Sequence, residues 1–168
     1  MTSLLIGQYL TFELADEKYG IEVKSIREIL EMQPITSVPR TSDYLLGVMN
    51  VRGRVVPVVD LRLKFGLEKA ELTVNSAIIV LDLGKDANDS LIGLLVDRVD
   101  EVLSLGEDEV EAAPGIGTSV NGQFLKGMGK SDKGFTLLLD TVEIFSKDKE
   151  LNIEDVRPAS DPKEDISA

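Results

Sequence analysis

Asp60 and Asp140 each close an apolar run, Val55-Val-Pro-Val-Val59 and Phe135-Thr-Leu-Leu-Leu139, at matching points eighty residues apart. Paired carboxylates at strand ends are the arrangement on which acid–base chemistry of the aspartic-protease kind depends. The following residues argue against it here, because Leu61-Arg62 and Thr141-Val142 replace the Thr/Ser-Gly turn of those enzymes. An Asp placed just before a short helical segment is a preferred N-cap, and both are read as caps. The chain has no Cys and no His, which removes thiolate nucleophiles, disulfides, imidazole ligands and every Ser-His-Asp or Cys-His mechanism. A metal would need carboxylates alone. Asp82, Asp86, Asn88 and Asp89 superficially resemble a calcium loop but lack the Gly and the closing Glu at the required spacing, so this segment is read as a hairpin connection. Gly20, Gly47, Gly93 and Gly127 form no phosphate cradle, and no cofactor is expected.

The basic residues carry a different chemistry. Arg40, Arg52, Arg54, Arg62 and Lys64 crowd into one segment of a chain whose net charge is −12, and the matching segment of the second half lacks the arginines. A purely structural segment has no need of that asymmetry. Arg52 stands out because it precedes Gly53, expected at the tip of a tight hairpin, where a guanidinium projects and binds carboxylates through two parallel bonds. Gly53 supplies the positive φ of the turn. Val23, Ile26 and Ile29 form an apolar stripe that belongs to the core, its edge beside this turn offering one wall of a groove for a partner helix. Met32 and Met49 are read as core gap-fillers or as part of an adaptable surface.

The acidic balance argues against nucleic acid and anionic membrane as partners, and with 5% aromatic residues and no Trp the chain is poorly supplied with stacking platforms. No apolar run reaches the roughly eighteen residues of a transmembrane helix, and Met1-Thr-Ser-Leu-Leu-Ile-Gly7 has no basic n-region or cleavage site. A cytoplasmic protein with a protein partner is the expectation.

The elements that must position these residues are legible as a repeat. At an offset of eighty, Leu45, Gly47, Asp60 and Phe65 match Leu125, Gly127, Asp140 and Phe145; at an offset of seventy-three, Gly20, Val23, Glu28 and Leu30 match Gly93, Val96, Glu101 and Leu103. Internal similarity of this kind marks two tandem subdomains. Residues 8–72 and 73–146 are taken as the two halves, sharing one core because 168 residues make a single domain, with strand exchange between them compatible with the repeat. Residues 147–168 read as an acidic, solvated tail. Gln8–Leu14 alternates as a half-buried strand, residues 23–30 suit a short helical segment, and Pro57 places strand 54–59 at an edge or at a bulge. Residues 107–111 read as an acidic loop. Many short strands with Gly/Pro turns give an all-β fold of antiparallel barrels with short helices and no parallel crossover.

The stretch Gly47-Val-Met-Asn-Val-Arg-Gly-Arg-Val-Val-Pro-Val-Val-Asp-Leu-Arg62, with Tyr19-Gly-Ile21, Arg27-Glu-Ile29 and Val96-Asp-Arg-Val-Asp-Glu-Val-Leu103, resembles the CheW family of chemotaxis coupling adaptors, over residues from about 8 to 146. The resemblance implies two tandem five-stranded Src-homology-like barrels and a non-enzymatic scaffold joining chemoreceptor cytoplasmic tips to the histidine kinase CheA. It implies receptor contacts at Ile26, Glu28, Gly47, Asn50 and Arg52, and kinase contacts on both barrels, with Val99 and Val102 on the second. It also implies recruitment to membrane receptor arrays without membrane insertion. The reading from a different class is a small-ligand-binding barrel or a carboxylate-dependent hydrolase, against which the lack of His, Cys and a convergent acid pair counts.

Overall fold

The computed structural model describes residues 5–39, 43–69, 71–83, 91–112, 124–132 and 134–145. The candidate residues Arg40, Asp86, Asn88 and Asp89, and the tail 147–168, lie outside them. Two sheets account for the chain. The first contains β3 (Ile26–Glu31), β6 (Ala77–Asp82), β7 (Leu91–Val96), β5 (Arg54–Asp60) and β4 (Leu45–Val51), in that order. The second runs β8 (Arg98–Leu105), β1 (Gly7–Leu14), β2 (Glu17–Glu22), β11 (Gly134–Leu139), β10 (Leu125–Ser131), β9 (Val110–Ala112). Two short helices, α1 (Leu61–Lys64) and α2 (Thr141–Phe145), follow β5 and β11.

The repeat seen in the sequence is reproduced bond for bond, and it shows that the halves have traded strands. Adding eighty to every pair of the β4–β5 ladder gives the β10–β11 ladder, including the register shift that leaves Leu46 extra in one and Lys126 in the other. Likewise β3 against β6 (Ile26↔Leu81, Ile29↔Ile79) is the counterpart of β8 against β1 (Val99↔Phe12, Val102↔Leu10). The first sheet therefore takes three strands from the first repeat and two from the second, and the second sheet two from the first repeat and four from the second. The joins are parallel: Val58↔Gly93 in the first sheet and Leu138↔Gly20 in the second. Sequence reasoning expected antiparallel pairing throughout, and the sheets are mixed instead.

One face of each sheet contributes to a large common core that includes Phe12, Leu14, Tyr19 and Ile21 from the second and Ile79, Leu81, Ile92 and Leu94 from the first. The opposite faces wrap smaller clusters, around Val56, Val58, Ile78 and Val80 in one and Leu5, Tyr9, Leu105 and Leu138 in the other. Strand β1 is consequently buried on both faces, with Tyr9 and Thr11 as inaccessible as Leu14, rather than half-buried. The Tyr9 hydroxyl donates to the Leu5 carbonyl at 2.8 Å, which removes the cost of burying it.

Residues 26–31 form a strand, preceded by a single 3-10 turn at Val23–Ser25, where a helical segment was expected. The cause is a bulge. Pairing passes from Ile26↔Leu81 to Glu28↔Val80, so Arg27 is an extra residue and the apolar spacing 26, 29, 30 mimics a helix. Pro57 lies in an interior strand, not at an edge. Its missing N–H is tolerated because the β7 ladder begins at Val58, one residue later. The segment 107–111 is a 3-10 turn running into β9 rather than a loop.

A charged cluster ties the first sheet to a crossover between the sheets. Asp97 stands between β7 and β8; Arg62 on α1 reaches it with Nε at 2.9 Å and a terminal nitrogen at 2.7 Å. The Ala15 amide, in the β1–β2 turn, donates to the same carboxylate at 2.9 Å. Burial alone would raise the Asp97 carboxyl, but the Arg62 hydrogen bonds, the Ala15 amide and the Arg62 charge outweigh it and hold it below its ordinary value.

Two predictions follow from these contacts. Gly53 takes φ +86° with open space around its α-carbon, so Gly53→Val introduces backbone strain alone and lowers stability by about 1–3 kcal/mol. At Gly47 a β-carbon would stand 2.1 Å from the Thr36 carbonyl oxygen, and Gly47→Ala costs about 3 kcal/mol or more. Urea titrations of both variants check the ranking, and a Gly47→Ala protein as stable as the parent contradicts the close approach. For Asp97 the folded-state value is depressed, so its stabilisation is complete above the ordinary carboxylate value of 3.8 and disappears as pH falls through the lower folded value. The stability gap between parent and Asp97→Asn should therefore be full at neutral pH and shrink below pH 3.8. A gap independent of pH refutes the assignment.

Candidate partner-binding surface

The two carboxylates with which the sequence opened are helix caps. Asp60 Oδ1 accepts the Arg62 amide at 3.0 Å, and Asp140 Oδ1 accepts the Glu143 amide at 3.0 Å. Asp60 is buried. Burial raises its carboxyl above the ordinary value, against the opposing amide bonds from Leu63 and Arg62 and the charges of Lys69 and Arg62. The void beside Asp60 has about 10 Å³, room for one water and not for a substrate.

Three of the five residues expected at the receptor surface, Glu28, Asn50 and Arg52, cluster at the tip of the β4–β5 hairpin and the strand it approaches. Arg52 and Gly53 are the two central turn residues, both with positive φ (52° and 86°), which is the type I′ geometry whose twist suits a two-residue hairpin. The Asn50 side chain accepts the Gly53 amide at 2.9 Å and so closes the turn. Arg52, a non-glycine residue in the left-handed region, then reaches β3 and binds Glu28 through two bonds, Nε to Oε2 at 3.2 Å and a terminal nitrogen to Oε1 at 3.1 Å. Those bonds, followed by the Glu28 charge, raise the Arg52 value further, so the guanidinium is permanently charged.

The pair is lopsided. The Glu28 side chain is 18% exposed and that of Arg52 79%, so the surface presents a cation whose counter-ion lies behind it. Ile29, the next residue on β3, and Val55 on β5 are exposed apolar side chains. Because β3 and β4 are the two end strands of the first sheet, this ion pair also joins its ends. Gly47 and Ile26 lie deeper. Gly47 is buried and lets the 36–38 segment cross β4, where Thr36 and Val48 exchange two backbone bonds of 2.8 Å; Ile26 is half-buried against the common core.

Val99 and Val102 occupy on β8 the places that Ile26 and Ile29 occupy on β3. They differ in burial. Val99 packs on the common core, whereas Val102 is 52% exposed. Val99 and Arg98 face Ile29, Leu30 and Glu31 across an open groove of about 400 Å³ between the sheets, with Val74 at its lip.

Other basic residues are tied up internally. Arg62 is held by Asp97 and by the Glu68 carbonyl at 3.0 Å, and the Lys64 ammonium sits 4.4 Å from the Tyr44 ring centre, with Phe124 and Phe145 at 6.0 Å. Met49 is buried core and Met32 packs beside it. Sequence reasoning missed Asp97 as a junction residue and Phe135 as an exposed apolar residue. The signal for Phe135 was present: it stands eighty residues after Val55, which is exposed at the same place in the other hairpin.

The chain matches the CheW-like domain over residues 8–149. It is 32% identical over 152 residues to the chemotaxis protein CheW of Klebsiella aerogenes, covering 90% of this chain and 89% of that protein. It is 33% identical over 141 residues to the chemotaxis protein CheW of Helicobacter pylori, covering 84% and 82%. The crystal structure of the scaffolding protein TtCheW from Thermoanaerobacter tengcongensis superposes with a TM-score of 0.76 at 30% identity, over 85% of this chain and 94% of that one.

Proposed function

The chain belongs to the CheW family, and on that premise we propose that it is a non-enzymatic chemotaxis scaffold that couples chemoreceptor cytoplasmic tips to the regulatory domain of the histidine kinase CheA. The observation that carries the receptor half is the Arg52–Glu28 pair. A guanidinium fixed in direction by a partly buried carboxylate suits an acidic helical surface. Glu28 and Asn50 contribute by holding Arg52 and its turn, and Gly47 by the shape of the strand beneath. The kinase half falls on Val102, exposed on β8, with Val99 anchoring the strand to the core. The protein works in the cytoplasm and joins receptor arrays through its partners; among the described residues no helix is long and apolar enough to cross a membrane.

Arg52→Glu should leave the fold intact, because the side chain is mostly exposed, and should lower affinity for a receptor-tip fragment about tenfold or more. Calorimetric titration beside a circular-dichroism melt checks both halves; an unchanged affinity in a folded variant removes Arg52 from the interface. Val102→Asp separates the two partners. A charge at an exposed site is not a buried charge, so the melt should hardly move while binding to the kinase regulatory domain weakens and receptor binding persists. Val99→Asp, by contrast, places a carboxylate against the core and should unfold the protein. Equal loss of both partners by a folded Val102→Asp protein contradicts the assignment of β8 to the kinase.

A further inference from the structure

The chain crosses between the sheets at two equivalent points, after β2 and after β7, and a charged pair from another element holds each: Lys126 of β10 reaches Glu22, the last residue of β2, at 3.0 Å, whereas at the second crossing Arg62 of α1 grips the connecting residue itself. At the first, Lys24 is 80% exposed and approaches Glu22 of its own neighbourhood at 4.0 Å. At the second, the equivalent residue is Asp97, and its carboxylate takes four bonds from outside: three from Arg62 of α1, whose Nε reaches both oxygens, and one from the Ala15 amide. The Asp97 amide itself donates to the Glu13 carbonyl at 3.1 Å. Ala15 is held at φ 51°, an unfavoured conformation for a residue with a β-carbon, so that turn is stabilised by the same contact. The counterpart of Arg62 in the second repeat is Val142, 54% exposed, which cannot make such a bond.

What Asp97 holds is the start of β8. Arg98 and Val99, the next two residues, form the β8 wall of the groove opposite Ile29 and Leu30, and Val102 follows on the same strand. We propose that Asp97, gripped by Arg62, is the positioning residue through which the first sheet fixes the height and twist of β8, and thereby sets the partner surface that β8 presents. A fork of two parallel bonds fixes direction as well as distance, which a single bond or a point charge does not. The inference rests on the reading of β8 as a kinase-binding strand; the ion pair of the Arg52 face, with Glu28, shares no residue with this clamp.

The test uses the full chain, a receptor-tip fragment and the kinase regulatory domain, at neutral pH and a temperature where every variant is folded by circular dichroism. Asp97→Asn should weaken kinase-domain binding about tenfold while receptor-tip affinity stays within about twofold of the parent. Arg62→Lys keeps the charge but loses the fork, and should fall between them; it serves as the measurement if Asp97→Asn does not fold. In the amide spectrum of either folded variant, β8 signals should move more than those of β6. A purely structural clamp would lower the melting temperature and leave the affinity of folded protein unchanged, and that result overturns the proposal. If the parent binds the kinase domain but Val102→Asp binds equally well, β8 is not the docking strand and the inference falls while the scaffold reading stands. If the parent binds neither partner, both fall.

Discussion

The two parallel ladders, β5 beside β7 and β2 beside β11, are the contacts on which everything else in the molecule depends. Each joins strands from different repeats, so neither sheet is complete without residues from the other half of the chain. Every strand pairing within one repeat, such as the β4–β5 hairpin, is local; the ladders that complete the sheets are not. That makes the barrels one folding unit in spite of the duplication, and it explains the single large core in which Tyr19 and Leu94 share neighbours. It also fixes the geometry of the surfaces proposed for partners, because β3 and β8, on which the proposal places them, are the first strands after each crossing.

A duplicated fold offers two copies of every surface, and function requires that the copies differ. They differ most plainly in charge. The register pairs are equivalent throughout, yet Arg52 corresponds to exposed Asp132, Arg62 to exposed Val142 and Lys64 to buried Ile144. Three cations of the first repeat thus have no counterpart, and their fates divide. Arg62 and Lys64 are used inward, one forked on Asp97 and one over the Tyr44 ring with Phe124 and Phe145 of the second half farther off, whereas Arg52 is used outward. The asymmetry read from the sequence as a sign of function is thus partly a sign of how two non-identical halves are locked together.

The repeat, the shared core, the hairpin tip and the capping aspartates were legible because each is a local pattern: a spacing, a Gly after a projecting residue, an Asp before a turn. What was not legible is non-local or is a single extra residue. Arg27 bulges out of β3 and shifts the apolar spacing toward a helical period, so a strand looked like a helix. The parallel joins leave no mark on either strand, since a buried parallel strand and a buried antiparallel one use the same residues. Asp97 meets Arg62 thirty-five positions away, and nothing near either residue announces the meeting. At the partner surface the residue types were readable, but not that Glu28 and Arg52 satisfy each other before any partner arrives.

That prior satisfaction bears on how such a surface recognises anything. A free arginine at a hairpin tip would sample many rotamers, and binding would have to freeze them at a cost of about 0.5–1.5 kcal/mol for a side chain of that kind. Here the cost is met during folding. The turn holds Arg52 at φ 52°, Asn50 closes the turn, and Glu28 sets the plane of the guanidinium. The fork uses the Nε edge and one terminal nitrogen, so the second terminal nitrogen keeps its donors for another acceptor. An exposed ion pair of this sort adds little to stability. Its value lies in direction: the first repeat spends an unfavoured backbone conformation on a preorganised cation, and at the equivalent sequence position the second repeat has exposed Asp132, of opposite charge and without that left-handed backbone.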